Sequence, residues 1–194
     1  VRLAKNAIKD SLLPQDDRSL SKGRDAQFEL FIAAVCQAAG MRPVVREEPD
    51  VTCLVNSTKF GIAAKRIKNI ANLEARIKKG AQQIQDSRLP GFIALDTSIA
   101  LNRDNQRIST PIHEQQFQVL YWSALRRFMD AYHDRIQDWV RGKGVRGVIV
   151  HDQQVRFLQD GDWTLSGMTM RVNTARENAR RQREYRLFES KYVS

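Results

Sequence analysis

An aspartate and a lysine stand at the ends of two neighbouring apolar runs in the first third of the chain. Asp50 follows Pro49 and precedes one run, and Lys65 closes the next. If the two runs form adjacent strands, the carboxylate and the ammonium group can meet at one end of a hairpin. A carboxylate is a hard oxygen ligand that suits Mg²⁺ or Mn²⁺. The spacing therefore predicts a site that holds a metal ion beside a phosphate.

The surrounding pattern predicts the elements that must position these two residues. Apolar residues recur at three- and four-residue steps from position 21 to a glycine at position 40, which indicates a helix. Three short pieces rich in β-formers follow at 43–46, 51–55 and 60–67, and a polar loop of hairpin length separates the last two. An amphipathic helix over about 70–84 and a compact apolar strand at 92–95 come next.

The second half of the chain predicts further elements of both kinds. We expect a long helix over 113–140, strands at 145–150, 155–158 and 164–172, and a helical tail over 174–192. The whole order predicts an α/β fold with a mixed central sheet flanked by helices. It divides into an arm at 1–21, a core at 22–100, completing elements at 101–172 and a basic tail at 173–194.

Composition and charge narrow the class of protein. The 194 residues are 42% hydrophobic, which is enough to bury a core, and the formal net charge is +10. Such a charge favours polyanions, with nucleic acid first and an anionic membrane surface second, although a basic surface that binds nothing stays open. The sequence contains neither an apolar run long enough to span a bilayer nor an apolar secretion signal, so we expect a cytoplasmic protein without a membrane partner.

The residues described above resemble the PD-(D/E)xK nuclease superfamily. The resemblance rests on Pro49 and Asp50, on Lys65, and on the segment GIAAKRIKNIANLEARIKKGAQQI followed by LPGFIALD, which looks like the strand, helix and strand of such a core. It implies a restriction-endonuclease-like αβββαβ core over residues 22–100. It also implies that Asp50 binds Mg²⁺ or Mn²⁺ and that Lys65 assists the attacking water and stabilises charge on the phosphate.

One position departs from the family pattern. Ala63 stands two residues before Lys65, where the pattern has a second metal-binding acid. Either activity is absent or an acid from elsewhere takes its place. Glu29 is the best substitute, because it lies at the edge of the apolar stripe of the first helix and resembles an extra glutamate of several family branches. Glu48 is a second candidate.

Two residues of the following helix are possible supporting residues. Glu74 borders the apolar face of that helix, and some family branches relocate the acid there. Its spacing also makes it an (i, i+4) partner of Lys78 on an exposed face, which is the favoured interpretation. Gln83 resembles a glutamine that some branches carry near the active site, and a solvated glutamine is an equal alternative.

Basic residues form two groups that predict contacts with DNA. Lys65, Arg66 and Lys68 lie beside the predicted phosphate site. In the tail, a helix with Arg176, Arg180 and Arg183 on one side could follow a phosphate backbone, or it could simply be a solvated helix that docks through its apolar residues. His113, His133 and His151 have no metal-ligand spacing, which indicates surface or packing positions.

The sequence thus supports one principal hypothesis and two alternatives. The principal one is a Mg²⁺-dependent nuclease that binds DNA through an α/β core. The first alternative is a DNA-binding module that has lost catalysis, for which Ala63 is the argument. The second is a partner-binding subunit, a homodimer or a larger complex, in which the aromatic residues of the long helix between Tyr121 and Trp139 form an interface.

Overall fold

The computed structural model describes residues 7, 22–45, 48–102, 114–157, 163–175 and 178–192. Four helices and six strands are described along the chain, and a short 3₁₀ turn, Ile70–Asn72, precedes the second helix. The elements are α1 (Lys22–Ala38), β1 (Val44–Val45), β2 (Val51–Val55), β3 (Thr58–Arg66), α2 (Leu73–Ser87), β4 (Gly91–Asp96), α3 (Glu114–Val140), β5 (Val145–Phe157), β6 (Trp163–Asn173) and α4 (Ala179–Tyr192).

The strands form one mixed sheet in which they are adjacent in chain order from β1 to β6. The strands β1, β2 and β3 are antiparallel neighbours, β3, β4 and β5 run parallel, and β6 returns antiparallel to β5. The predicted α/β class, with a mixed sheet flanked by helices, is confirmed. Each parallel connection contains a helix, as the geometry of parallel strands requires.

The prediction of two separate strands at 145–150 and 155–158 was wrong, because β5 is continuous from Val145 to Phe157. The polar residues that interrupt its apolar run pair with β6 along their whole length. Asp152 is buried and accepts a hydrogen bond from the Thr97 hydroxyl at 3.4 Å. Since its polar side chain is satisfied inside the protein, the strand continues through it.

Two hydrophobic clusters place helices on both faces of the sheet. One cluster joins α2 and α3 to the sheet through residues such as Ile77, Leu125 and Ile93. The other joins α1 and α4 to the opposite face through residues such as Ile32, Phe188 and Phe60. The result is a three-layer arrangement in which the tail helix α4 is part of the core.

The aromatic long helix contributes mainly to the core and not to an exposed interface. Tyr121, Leu125, Phe128 and Ile136 are buried against the sheet and α2. This burial removes the argument for an interface built from that stripe. Tyr132 and Trp139 are partly buried against the same cluster, and Trp122 is 43% exposed.

Within the part of the chain that the structure describes, none of the helices combines the length and the apolar character needed to cross a membrane. The predicted arm at 1–21 lies almost entirely outside the described residues.

Candidate active site

A buried ion pair joins Asp50, which directly precedes β2, to Lys65, near the end of β3. Because Val51 pairs with Ile62 in the antiparallel ladder, the preceding Asp50 comes level with the last residues of β3. The Oδ2 atom of Asp50 lies 2.7 Å from the Lys65 Nζ and accepts a second hydrogen bond, also at 2.7 Å, from the Ala64 amide. The two side chains are only 11% and 8% exposed. The structure therefore brings together the carboxylate and the amine that the sequence singled out.

A glycine on β3 lets the Asp50 segment approach. A Cβ atom on Gly61 would lie 2.8 Å from the Cγ of Pro49, which is closer than such contacts occur. Pro49 is buried over this position. Gly61 thus lets Pro49 pack against β3, and this packing sets the position of the carboxylate that follows it.

Lys65 and Asp50 do not use all of their hydrogen-bonding capacity on each other. Lys65 donates to the Asp50 Oδ2 and, at 3.0 Å, to the Ala64 carbonyl oxygen. An ammonium group has a further N–H, and a carboxylate has a second oxygen. Among the described residues, neither that N–H nor the Asp50 Oδ1 has a protein hydrogen-bond partner. Both are available to a ligand at this end of the sheet.

Glu29 of α1 shares the electrostatic environment of this pair. It is half-buried, and its pKa is raised from 4.5 to about 7. The largest cause is desolvation by burial, and the charges of Asp50 and Asp25 raise the pKa further, whereas Lys65 opposes them. A carboxyl group feels Asp50 and Lys65 to this degree only when it is near them. Glu29 is therefore coupled electrostatically to the pair, and it lies one helical turn after Asp25, which contacts Arg66 of β3.

Arg66 holds α1 against the sheet at this point. Its Nε lies 3.3 Å from the Asp96 Oδ2 of β4, and its Nη1 lies 3.5 Å from the Asp25 Oδ1 of α1. Asp25 precedes Glu29 by four residues, about one helical turn. Arg66 was predicted to contact nucleic acid, but it is only 6% exposed and its guanidinium group faces these carboxylates. Its position is that of an anchor for the helix that carries Glu29.

Ala63 is covered by a close contact between helix and strand. It is fully buried, and a Cβ atom built on Gly80 of α2 would lie 3.5 Å from the Ala63 Cβ and 3.2 Å from Ile93. The space above position 63 is thus occupied by the backbone of α2. A carboxylate side chain at this position would have to displace the helix, which accounts for a small residue where the family pattern has an acid.

The remaining candidate residues are less directly engaged with the Asp50–Lys65 pair. Glu48 is exposed in the bend before Pro49. Glu74 forms the predicted ion pair with Lys78 at 2.6 Å on the exposed face of α2. Gln83 is buried, and its Oε1 has no hydrogen-bond partner among the residues that the structure describes. Lys68 is half-buried just beyond β3.

The candidate arginines of the tail lie elsewhere. Arg180 and Arg183 are exposed near the start of α4, and Arg176 lies outside the described residues. Arg180 borders a groove beside Gly144 and Arg146, at the start of β5. Because β5 runs parallel to β3, its start is at the opposite end of the sheet from Lys65. Arg180 and the Lys65 site therefore lie on separate surfaces.

Sequence reasoning missed a polar row across the sheet, in which Arg66, Asp96 and His151 are buried. The register places Arg66, Asp96, His151 and Thr169 side by side across four strands. His151 contacts the Thr169 Oγ1 at 3.0 Å and the Tyr192 hydroxyl at 2.9 Å, and burial lowers its pKa to about 4, so it is neutral. The available signal was a polar residue directly after the apolar run of each parallel strand.

The donor set fits one hard metal ion held partly by its substrate. The described residues contain no group of three or more His, Cys, Asp or Glu side chains that could share a metal. Mg²⁺ in proteins commonly takes only one or two carboxylates, with waters and substrate phosphates completing its shell. Asp50 and Glu29 are the two carboxylates that the sequence analysis assigned to such an ion.

Comparison with known proteins adds no assignment. No protein-family model and no curated protein sequence matches this chain.

Proposed function

We propose that this protein is a DNA-binding, Mg²⁺-dependent nuclease whose active site is formed by Asp50, Glu29 and Lys65. The observation that carries the proposal is the buried contact of 2.7 Å between Asp50 and Lys65, with the Glu29 pKa shifted by both charges. Perturbed titratable groups that share one end of a sheet are typical of functional sites.

The element order supports a restriction-endonuclease-like assignment. The chain runs from α1 through the strands β1, β2 and β3 to α2 and the parallel strand β4. This is the αβββαβ order that the PD-(D/E)xK resemblance implies. Asp50 directly precedes the second strand of this order, and Lys65 lies near the end of the third.

Each side chain has a role that its contacts allow. Asp50, through Oδ1, and Glu29, once deprotonated, would hold Mg²⁺ or Mn²⁺. When bound, the ion would neutralise charge on the scissile phosphate and lower the pKa of a water molecule. Lys65 is oriented by Asp50 and by the Ala64 carbonyl oxygen, and its remaining N–H can donate to a phosphate oxygen and stabilise the charge that develops there.

Nicking of a supercoiled plasmid tests this function. The wild-type protein should relax the plasmid with Mg²⁺ and not with EDTA, and Asp50→Asn, Glu29→Gln and Lys65→Met should each abolish nicking while the fold persists. Glu74→Gln is the matched control, because Glu74 pairs with Lys78 on the helix exterior and should be dispensable. Loss of activity in that control equal to the loss in Glu29→Gln would count against the assignment.

A second candidate function is a DNA-binding module without catalysis. The specific observation in its favour is Ala63, which is fully buried under Gly80 and leaves the metal with one acid fewer than the family pattern. This candidate predicts DNA affinity that falls steeply with salt, is insensitive to EDTA and yields no cleaved product.

A further inference from the structure

A basic groove lies at the end of the sheet opposite to the proposed active site. Its volume is about 280 Å³, and it lies between the C-terminus of α2, the turn after α3 and the first turn of α4. The charged residues that line it are four bases and one acid: Arg88, Lys143, Arg146, Arg180 and Glu184. A second, smaller cavity shares Gly142 with it and adds Arg141 and Arg181.

The single acid of this groove is already committed to two of the bases. The Glu184 carboxylate lies 2.5 Å from the Arg146 Nε and 3.1 Å from the Arg180 Nε. Lys143 donates to the neutral Gln82 Oε1 at 3.3 Å. Among the described residues, no carboxylate lies within ion-pair distance of Arg88 or Lys143. Among the residues that the structure describes, the bases of the groove therefore outnumber its acid, and the groove keeps a net positive charge.

The start of α4 brings positive charge to the groove. Its first turn carries Arg180 and Arg181 and no acidic residue. Positive charge near a helix N-terminus is unfavourable, because the helix dipole is positive there. An anion in the groove would remove this repulsion.

The chemistry of the groove favours a nucleic-acid backbone over a membrane. The large exposed apolar side chains of the described residues are Val44, Val119, Trp122 and Leu165, and none of them lines the groove. Membrane-surface binding generally needs apolar side chains that insert below the headgroups. Guanidinium and ammonium groups without such neighbours are suited to phosphates spaced along a strand.

We propose that this groove, lined by Arg88, Lys143 and Arg180, is a second contact for the sugar-phosphate backbone of DNA, separate from the catalytic end. The α2 helix connects the two ends over 15 residues, which corresponds to about 22 Å. The groove therefore adds affinity without touching the scissile phosphate. This inference extends the proposed nuclease function, and its binding component can be tested without cleavage.

The test compares two variants that each remove two exposed positive charges. Arg88→Asn with Lys143→Gln removes charge from the groove, and asparagine suits position 88 because Arg88 has a φ of 57°. Arg126→Gln with Arg127→Gln is the matched control on the outer face of α3. Binding of a fluorescent 24-base-pair duplex is measured in EDTA from 50 to 300 mM salt, and circular dichroism verifies that each variant is folded.

In the groove variant, the plot of the logarithm of the DNA association constant against the logarithm of salt concentration should be shallower by about 2, since each lost phosphate contact contributes about 0.9 to the slope. The control variant should leave the slope unchanged. With Mg²⁺, the groove variant should raise the KM for plasmid nicking and preserve kcat. Equal slopes for the two variants would overturn the inference. It would also be overturned if the groove variant lost binding to anionic phospholipid vesicles while its DNA affinity stayed unchanged.

The outcomes separate this inference from the proposed function. Groove-dependent DNA binding without any nicking refutes the catalytic assignment and leaves the groove intact. Mg²⁺-dependent nicking with identical KM values in the groove and control variants refutes the groove alone.

Discussion

Removal of Lys65 should destabilise the protein strongly, and the simultaneous removal of Asp50 should restore most of the loss. The Lys65 Nζ and the Asp50 Oδ2 are 2.7 Å apart, with side chains only 8% and 11% exposed. Removing one member of such a pair leaves a buried charge without compensation, which costs about 3 to 5 kcal/mol. Replacing both members by neutral side chains of similar size is close to neutral.

The magnitude is large enough to measure by urea unfolding. With a slope of about 2 kcal/mol per molar urea for a domain of this size, Lys65→Met should lower the midpoint by about 1.5 to 2.5 M. Asp50→Asn should behave similarly. The double variant should lose no more than about 1 kcal/mol, so the two single losses should not add. Tryptophan fluorescence in EDTA follows the transition.

The same variants connect stability to metal binding. Lys65→Met removes the positive charge beside Asp50 and Glu29, so Mg²⁺ should bind this variant more tightly than the wild type while nicking is lost. Isothermal titration with Mg²⁺ measures the first effect, and the plasmid assay measures the second. Additive single losses together with unchanged Mg²⁺ affinity would refute the reasoning, because they would mean that solvent screens the pair.

Three further predictions concern titration and packing. Glu29 should titrate near pH 7 when its carboxyl group is followed by NMR, and its pKa should fall in Asp50→Asn. Nicking should increase as the pH rises through about 7, because the protonated acid cannot bind the ion. A Glu29 midpoint near 4.5 in the wild type would contradict this. Ala63→Asp should destabilise the protein by about 3 kcal/mol or more without increasing nicking, since the carboxylate would be buried beneath Gly80. Thermal unfolding measures the stability and the plasmid assay measures the nicking, with Ala63→Ser as the milder control. A stable variant with faster nicking would disprove the packing argument. His151 should remain neutral down to a pH of about 4. Because its pKa is depressed from 6.5 in the folded state, the protein should lose about 3 kcal/mol of stability as the pH falls from about 6.5 to 4. Imidazole NMR measures this pKa, with the more exposed His133 as reference, and titration of His151 near 6.5 would exclude the prediction.

The local part of the site was predictable from the residues. Asp50 and Lys65 meet because each stands at the end of a strand of one hairpin, and the apolar runs and polar turn between them indicate that hairpin. The ion pair of Glu74 with Lys78 was predictable for the same reason, since helical spacing alone brings them together.

Other features depended on which distant segments become neighbours. Arg66 follows Lys65 in the sequence, yet it points to Asp25 and Asp96 and anchors α1. The polar residues between two apolar runs of β5 suggested a break, and the pairing with β6 overrode it. The sequence did not indicate where the tail helix lies relative to the active site, and the parallel order of β3, β4 and β5 places Arg180 at the other end of the sheet.

The amino-acid sequence by itself determined the α/β class, the hairpin and the meeting of Asp50 with Lys65, because periodicity and turn residues act over a few neighbouring positions. Only the tertiary structure decided that Glu29 approaches this pair, that α2 excludes an acid at position 63, and that a basic groove forms at the far end of the sheet. Burial and electrostatic coupling arise from contacts between segments that are remote along the chain, and a single sequence does not specify those contacts position by position.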